Sequence, residues 1–180
     1  FALESQQKAI DAINQGKFKN EICPISVPQR KGDPLIVDID EHPRYKKENS
    51  EYSIDLTLEK LSSLKPIFRK NGTVTAGNSS GINDGAAAVL LMSREKADEI
   101  GLKPLARWVG SAVAGVDPGV MGYGPVPSTE KLLKRFDLTL DDIGLIELNE
   151  AFASQSIGVM RKLNLNPDIT NGNGGAIALG

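Results

Sequence analysis

Apolar residues recur at helical spacing from the first residues. Ala2, Leu3, Ala9, Ile10 and Ile13 fall near one face, and Gly16 follows as a stop. Glu21 to Val27 alternates towards a short strand, which Pro24 demotes to an edge or an irregular strand. Residues 28–66 read as loop, with Pro28, Pro34 and Pro43 and dense charge. Within them, Arg44 to Tyr52 is so charged that a solvent-facing or mobile stretch is expected. Leu56 to Leu64 makes a short helix closed by Pro66. The character changes at Gly72. Thr73-Val74-Thr75 is β-prone, Ala76 to Gly81 is a run of small residues, and Asn83-Asp84-Gly85 signals a turn. Ala86 to Met92 is a buried run, strand or helix by periodicity alone. Ser93 caps a helix through Ile100 that Gly101 closes. From there the pattern is strand (Leu105 to Val116), helix from Ser128 or Thr129 with Leu132, Leu133 and Phe136 inward, and strand (Ile143 to Leu148). Next come a helix (Ala151 to Leu163, with Phe152, Ile157, Met160 and Leu163 inward) and a further strand entering Asn171 to Ala176. This alternation is that of an α/β unit, and Gly101 to Pro104 marks a boundary.

Composition narrows the class. Lys plus Arg is 21 against 23 for Asp plus Glu, a formal charge of −2, which argues against nucleic-acid binding and a polybasic membrane anchor. At 40% apolar and 24% charged, the chain has the balance of a soluble globule. Its longest apolar stretch is far short of the roughly 20 residues of a membrane span. A single cysteine forms no internal disulfide, and one cysteine with one histidine makes no zinc cage. The chain opens on Phe1 without a targeting pattern, so a cytoplasmic piece of a longer protein is expected.

Asn149-Glu150 is the strongest local site, because it lies where a strand gives way to a helix, the end of an α/β sheet at which ligands bind. The Asn149 amide either donates to a developing oxyanion, directly or through a held water, or only caps the helix. In the run of small residues, Ser80 is placed to hydrogen-bond a ligand lying on the backbone; the alternative is a tight loop. Phe68, just upstream, walls an apolar slot or is plain core. Asn171 to Gly180 is not a dinucleotide fingerprint, since Ile stands at 177 where Gly or Ala is required. Its glycines point to close packing of backbone on backbone. Cys23 is expected buried and inert, and His42 solvated in a loop. No nucleophile–base pair is visible.

Several stretches together resemble the thiolase family, its biosynthetic members most closely. They are Phe1 to Ala9, Arg30-Lys-Gly-Asp33, Gly72 to Ala88, Met121 to Pro127, Asn149-Glu-Ala-Phe-Ala153 and Asn173 to Gly180. The resemblance implies an α/β fold of two similar halves stacked in five α/β/α/β/α layers. Residues 1–101 would end the first half, with part of its loop domain at about 28–66, and 102–180 would begin the second. It implies an acyltransferase joining two acetyl-CoA into acetoacetyl-CoA and CoA, and the reverse thiolysis, through a cysteine acyl-enzyme. A degradative 3-ketoacyl-CoA thiolase and a non-catalytic CoA-binding relative are the alternatives. The nucleophilic cysteine, the catalytic histidine and a second cysteine would lie outside this chain, so the chain alone is expected inactive. The acyl-CoA thioester is the substrate, no separate cofactor or metal is implied, and the intact protein would be a homo-oligomer, dimer or tetramer. By the same resemblance Asn149 is catalytic, holding a water of the oxyanion hole. Ser80, Ala76 and Gly81 line the pantetheine path. Phe68, Met121, Ala151 and Phe152 contact the acyl and pantetheine groups, and Arg44 lies near the nucleotide end of CoA.

Overall fold

A computed structural model describes all 180 residues. Helix α1, Ala2–Asn14, forms where the periodicity places it and buries Ala2, Ser5, Gln6, Ala9, Ile10 and Ala12. Gly16, at φ 67°, turns the chain out of it. Two hairpins follow. Strands β1, Ile25–Val27, and β2, Leu35–Val37, pair antiparallel. Strands β3, Tyr45–Glu48, and β4, Glu51–Ile54, do the same. Of the two expectations for Arg44 to Tyr52, solvent-facing or mobile, the second hairpin keeps the first: the stretch is ordered as two strands and mostly exposed. Its turn residues Asn49 and Ser50 both take positive φ, 48° and 72°, as a tight two-residue hairpin requires. Tyr45 and Tyr52 meet edge to face at 4.8 Å across it. The Asn14 carboxamide fastens this hairpin to α1, donating to Tyr52 O at 2.7 Å and accepting from Tyr52 N–H at 2.9 Å.

Helix α2, Leu58–Ser62, is capped by Thr57, and α3, Arg94–Glu99, by Ser93, whose hydroxyl accepts from Lys96 N–H. Helix α4, Pro125–Phe136, starts ahead of the expected Ser128 or Thr129. Proline is well suited to a first turn because the N–H it lacks would have no partner there. Ser128 instead donates back to Gly124 O. Helix α5, Ala153–Leu163, buries Ala153, Ser156 and Val159. The expected inward residues Phe152, Ile157, Met160 and Leu163 are only half-buried. Helix α6, Ala176–Leu179, ends the chain against α1. One core gathers Val126, Leu148, Val159 and Leu165; a second joins Ala2, Ala153 and Ile177.

The two hairpins are the only sheets. Ile143 to Leu148 makes a single parallel bridge, Ile146 to Thr170. The Asn171 carboxamide prolongs it, accepting from Leu148 N–H at 2.7 Å and donating to Leu148 O at 2.8 Å. Ala86 to Met92, expected buried, is exposed throughout, and Leu105 to Val116 is largely so; Leu90 keeps 77% and Trp108 72% of its surface. Neither forms a ladder, because a strand is completed by neighbouring strands and none of this chain lies beside them. Thr73-Val74-Thr75 is not a strand, and residues 83–85 form no turn. Cys23 is exposed at the foot of β1 rather than buried, because a two-stranded edge hairpin has no layer over it.

Candidate functional site

Backbone pairing builds the site. Ser79 and Phe152 form an antiparallel bridge, flanked by Ser80 N–H to Ala151 O at 3.1 Å and Ala153 N–H to Asn78 O at 2.9 Å. The run of small residues is thereby laid alongside the stretch that leads into α5. Asn78 fixes the loop from inside, accepting from Thr75 N–H and donating to Thr73 O. Between this pair, the 42–44 strap and the segment from Leu56 to Phe68 opens a cleft of about 740 Å³. Ala76, Ser80, Gly81, Ala151 and Phe152 line it, with Phe68 and Arg44 on the other walls. Phe68 stands edge-on to Phe152, ring centroids 6.0 Å apart at 90°. It is 69% exposed, so it is a wall and not core. Leu56, Leu61, Leu64 and Ile67 make the rest of that side apolar. Arg44 is placed by its main chain, whose N–H donates to the Gln6 side chain at 2.7 Å.

Met121 and Asn149 are not part of this wall. Met121 is exposed in the short 3₁₀ stretch before α4. Asn149 is exposed between buried Leu148 and Glu150, two residues ahead of the cleft-lining Ala151. It does not cap α5: that helix begins at Ala153 and its cap position is Phe152. The capping alternative for Asn149 is thereby excluded.

Under Asn149 lies a polar knot that sequence reasoning missed. Glu150 is 1% exposed. Its carboxylate accepts from Ser5 Oγ at 2.7 Å, Asn171 Nδ2 at 2.9 Å and Ile177 N–H at 3.1 Å. Ser5 Oγ also accepts from Gly175 N–H at 3.1 Å. A Cβ on Gly175 would run into the Glu150 carboxylate, and one on Gly174 would lie 2.7 Å from Ser5 O. Gly174 and Gly175 are thus spaces for this knot; Gly174 shows the backbone packing expected of the run, whereas Gly175 makes room for a side chain and Gly172 faces open space. The available signal was an acidic residue directly after an apolar strand. Nearby, burial and the Glu150 charge raise the Glu147 carboxyl above the ordinary glutamate value. No three His, Cys, Asp or Glu side chains converge anywhere in the chain. No helix is long and apolar enough to cross a membrane.

The N-terminal domain model of the thiolases matches residues 1–95, and the C-terminal domain model matches residues 102–180. The chain belongs to the thiolase family. Among curated thiolase relatives, the acetyl-CoA acetyltransferases of Chromobacterium violaceum and Pseudomonas aeruginosa are 53% and 55% identical to it over all 180 residues. That stretch is 44% of each relative's length, so the chain spans less than half of the proteins it resembles. The crystal structure of the Bacillus anthracis acetyl-CoA acetyltransferase superposes with a TM-score of 0.92 at 49% identity, over 99% of this chain and 43% of that one. Human mitochondrial 3-ketoacyl-CoA thiolase gives 0.88 at 45%, over 99% and 42%. The fold is the α/β thiolase fold over the matched stretch. The unladdered segments, included in a superposition that covers nearly the whole chain, therefore follow a thiolase path without their neighbours.

Proposed function

We propose that this chain supplies the carrier groove and the carbonyl-polarising amide of an acetyl-CoA C-acetyltransferase. That enzyme joins two acetyl-CoA into acetoacetyl-CoA and free CoA, and catalyses the reverse thiolysis. The cleft supports this reading. Seven of the nine residues singled out from sequence line one groove, although they come from four separate stretches of chain. The groove is mostly apolar and lined on one side by small residues, which suits a thioester on a slender arm.

In the reaction a thiolate attacks the acetyl carbonyl and CoA leaves as its thiol, giving an acyl-enzyme. The α-carbon of a second acetyl-CoA loses a proton and attacks the acyl carbonyl, releasing the enzyme thiolate and acetoacetyl-CoA. In each addition negative charge develops on the carbonyl oxygen, and an amide donor such as Asn149, exposed two residues ahead of the groove-lining Ala151, stabilises it most where charge is greatest. No thiol lines the groove, and Cys23 sits exposed on the first hairpin. As the family resemblance implies, the nucleophile and the proton-handling groups are assigned to other stretches of the complete protein. The family-model matches and the helix end at Gly101 support a division into residues 1–101, the end of one thiolase half, and 102–180, the start of the next. A homo-oligomer is the expected assembly; a yeast peroxisomal relative, 42% identical, is described as dimeric. A cytoplasmic location completes the reading.

The experiment is direct. The 180-residue chain should bind CoA yet leave acetoacetyl-CoA thiolysis at the level of a thiol blank. Turnover well above that blank overturns the division of labour, and no CoA binding overturns the groove.

A further inference from the structure

Asn171 opens the glycine-rich run and lies outside the cleft. It is 4% exposed and takes φ 49°, a left-handed conformation that asparagine tolerates better than most side chains. Its main chain is itself anchored. Asn171 N–H donates to Ile146 O at 2.9 Å, beside the bridge between Ile146 and Thr170.

Every polar atom of its carboxamide is engaged on one short stretch. Oδ1 accepts from Leu148 N–H at 2.7 Å. Nδ2 donates one bond to Leu148 O at 2.8 Å and a second to Glu150 Oε1 at 2.9 Å. The grip needs an acceptor and two donors in one planar group, which a carboxamide supplies. An ionised aspartate has no donor to offer, and a glutamine is one carbon longer. Leu148 and Glu150 are both buried, and the residue between them is the exposed Asn149. No main-chain hydrogen bond reaches Asn149 itself. Two residues on, the chain is fixed again where Ser80 N–H donates to Ala151 O at 3.1 Å. An open side chain on a backbone gripped from both sides is the arrangement of a donor that must be aimed and still meet a ligand.

We propose that Asn171 is a positioning residue for Asn149: by gripping Leu148 and Glu150, its carboxamide fixes the main chain from which the Asn149 amide is presented to the acyl carbonyl. The proposal rests on reading Asn149 as the carbonyl-polarising amide. A donor stabilises developing charge best when it is held in place beforehand, so loosening its support costs turnover more than substrate affinity.

The test is a double-mutant cycle in the complete protein, read by the thiolysis of acetoacetyl-CoA. Asn171→Gly removes the carboxamide while leaving the positive φ unstrained. It should lower kcat about ten- to a hundredfold and leave KM within about twofold. In the Asn149→Ala background the same change should lower kcat by less than about twofold, because no amide remains to be aimed. Losses that multiply in the double variant mean that Asn171 acts through something else, and overturn the proposal. So does an effect confined to KM, or an unchanged kcat in Asn171→Gly beside a lowered one in Asn149→Ala; each of these leaves the amide reading standing. If Asn149→Ala alone leaves kcat unchanged, the amide reading falls and takes the proposal with it. Where the glycine variant does not fold, the cycle is run on Asn171→Asp. That variant keeps the shape and the acceptor for Leu148 N–H but loses both donors when ionised, and its loss of kcat should likewise vanish in the Asn149→Ala background.

Discussion

Asn149 and Glu150 are neighbours with opposite situations. Glu150 is buried and satisfies three donors from three parts of the chain, Ser5, Asn171 and Ile177. Glu150→Ala strands those donors, and urea unfolding should show a loss of about 3–5 kcal/mol. Glu150→Gln keeps the shape but turns one acceptor into a donor facing donors, and should cost about 1–3 kcal/mol. A loss below about 0.5 kcal/mol in the alanine variant would mean that water reaches the knot. Asn149 is exposed and caps nothing. Asn149→Ala should therefore change stability by less than about 0.5 kcal/mol, where a lost helix cap would cost about 1 kcal/mol. On the proposed function, the same change in the complete protein should lower kcat about 10²–10³-fold, the scale of a removed oxyanion donor. Unchanged kcat would remove Asn149 from the chemistry.

Helices and caps were legible because their hydrogen bonds close within a few residues. Ser93, Gly101 and Gly16 stand where a local code needs them, and the structure uses each. The start of α4 was misplaced because Pro125 opens a helix without a capping side chain. The β3–β4 hairpin was hidden by its charge; its only local sign is Asn49-Ser50, a pair that tolerates positive φ. Around the site, the small-residue loop and the strand-to-helix junction were readable as types, but their pairing through Ser79 and Phe152 spans more than seventy positions. A local element also carries a pH prediction. In the turn at Leu140–Asp142, Asp142 accepts from Thr139 N–H and from its hydroxyl, each at 2.8 Å. The main-chain bond first, then the hydroxyl, holds its carboxyl below the ordinary value of 3.8. A depressed folded value means that this stabilisation is complete above pH 3.8 and disappears as pH falls through the folded value. Thr139→Ala removes the hydroxyl and keeps the main-chain donor, so the Asp142 midpoint should rise part of the way back, as followed by carboxyl carbon NMR. Identical midpoints in the two proteins would assign the whole effect to the main chain.

Across the whole molecule, stability is unevenly spread. The helical cores around Val126, Leu148 and Val159 and around Ala153 and Ile177 are closed, whereas residues 86–92 and most of 105–116 leave main chain and apolar side chains open to water. Leu105 to Val116 was expected as a strand and Ala86 to Met92 as a buried run, strand or helix; neither forms an element, because a sheet is a property of several strands. Amides in these two stretches should exchange hydrogen within the dead time of the measurement, while those of α5 are protected. The same openness has a consequence for solution behaviour. Leu90, Leu91, Trp108 and Val113 are each more than 70% exposed. They sit on segments outside any sheet, and exposed apolar stretches of this kind are a template for pairing with another chain. Sedimentation should therefore show association that grows with concentration. Charge on those edges should oppose it: Leu90→Lys with Val113→Lys should shift the chain towards monomer without altering the α5 exchange pattern, because neither residue touches the closed cores. If the double variant associates as strongly as the parent, the contact lies elsewhere, and the β1–β2 hairpin, with Ile25, Leu35 and Ile36 exposed, is the next surface to charge.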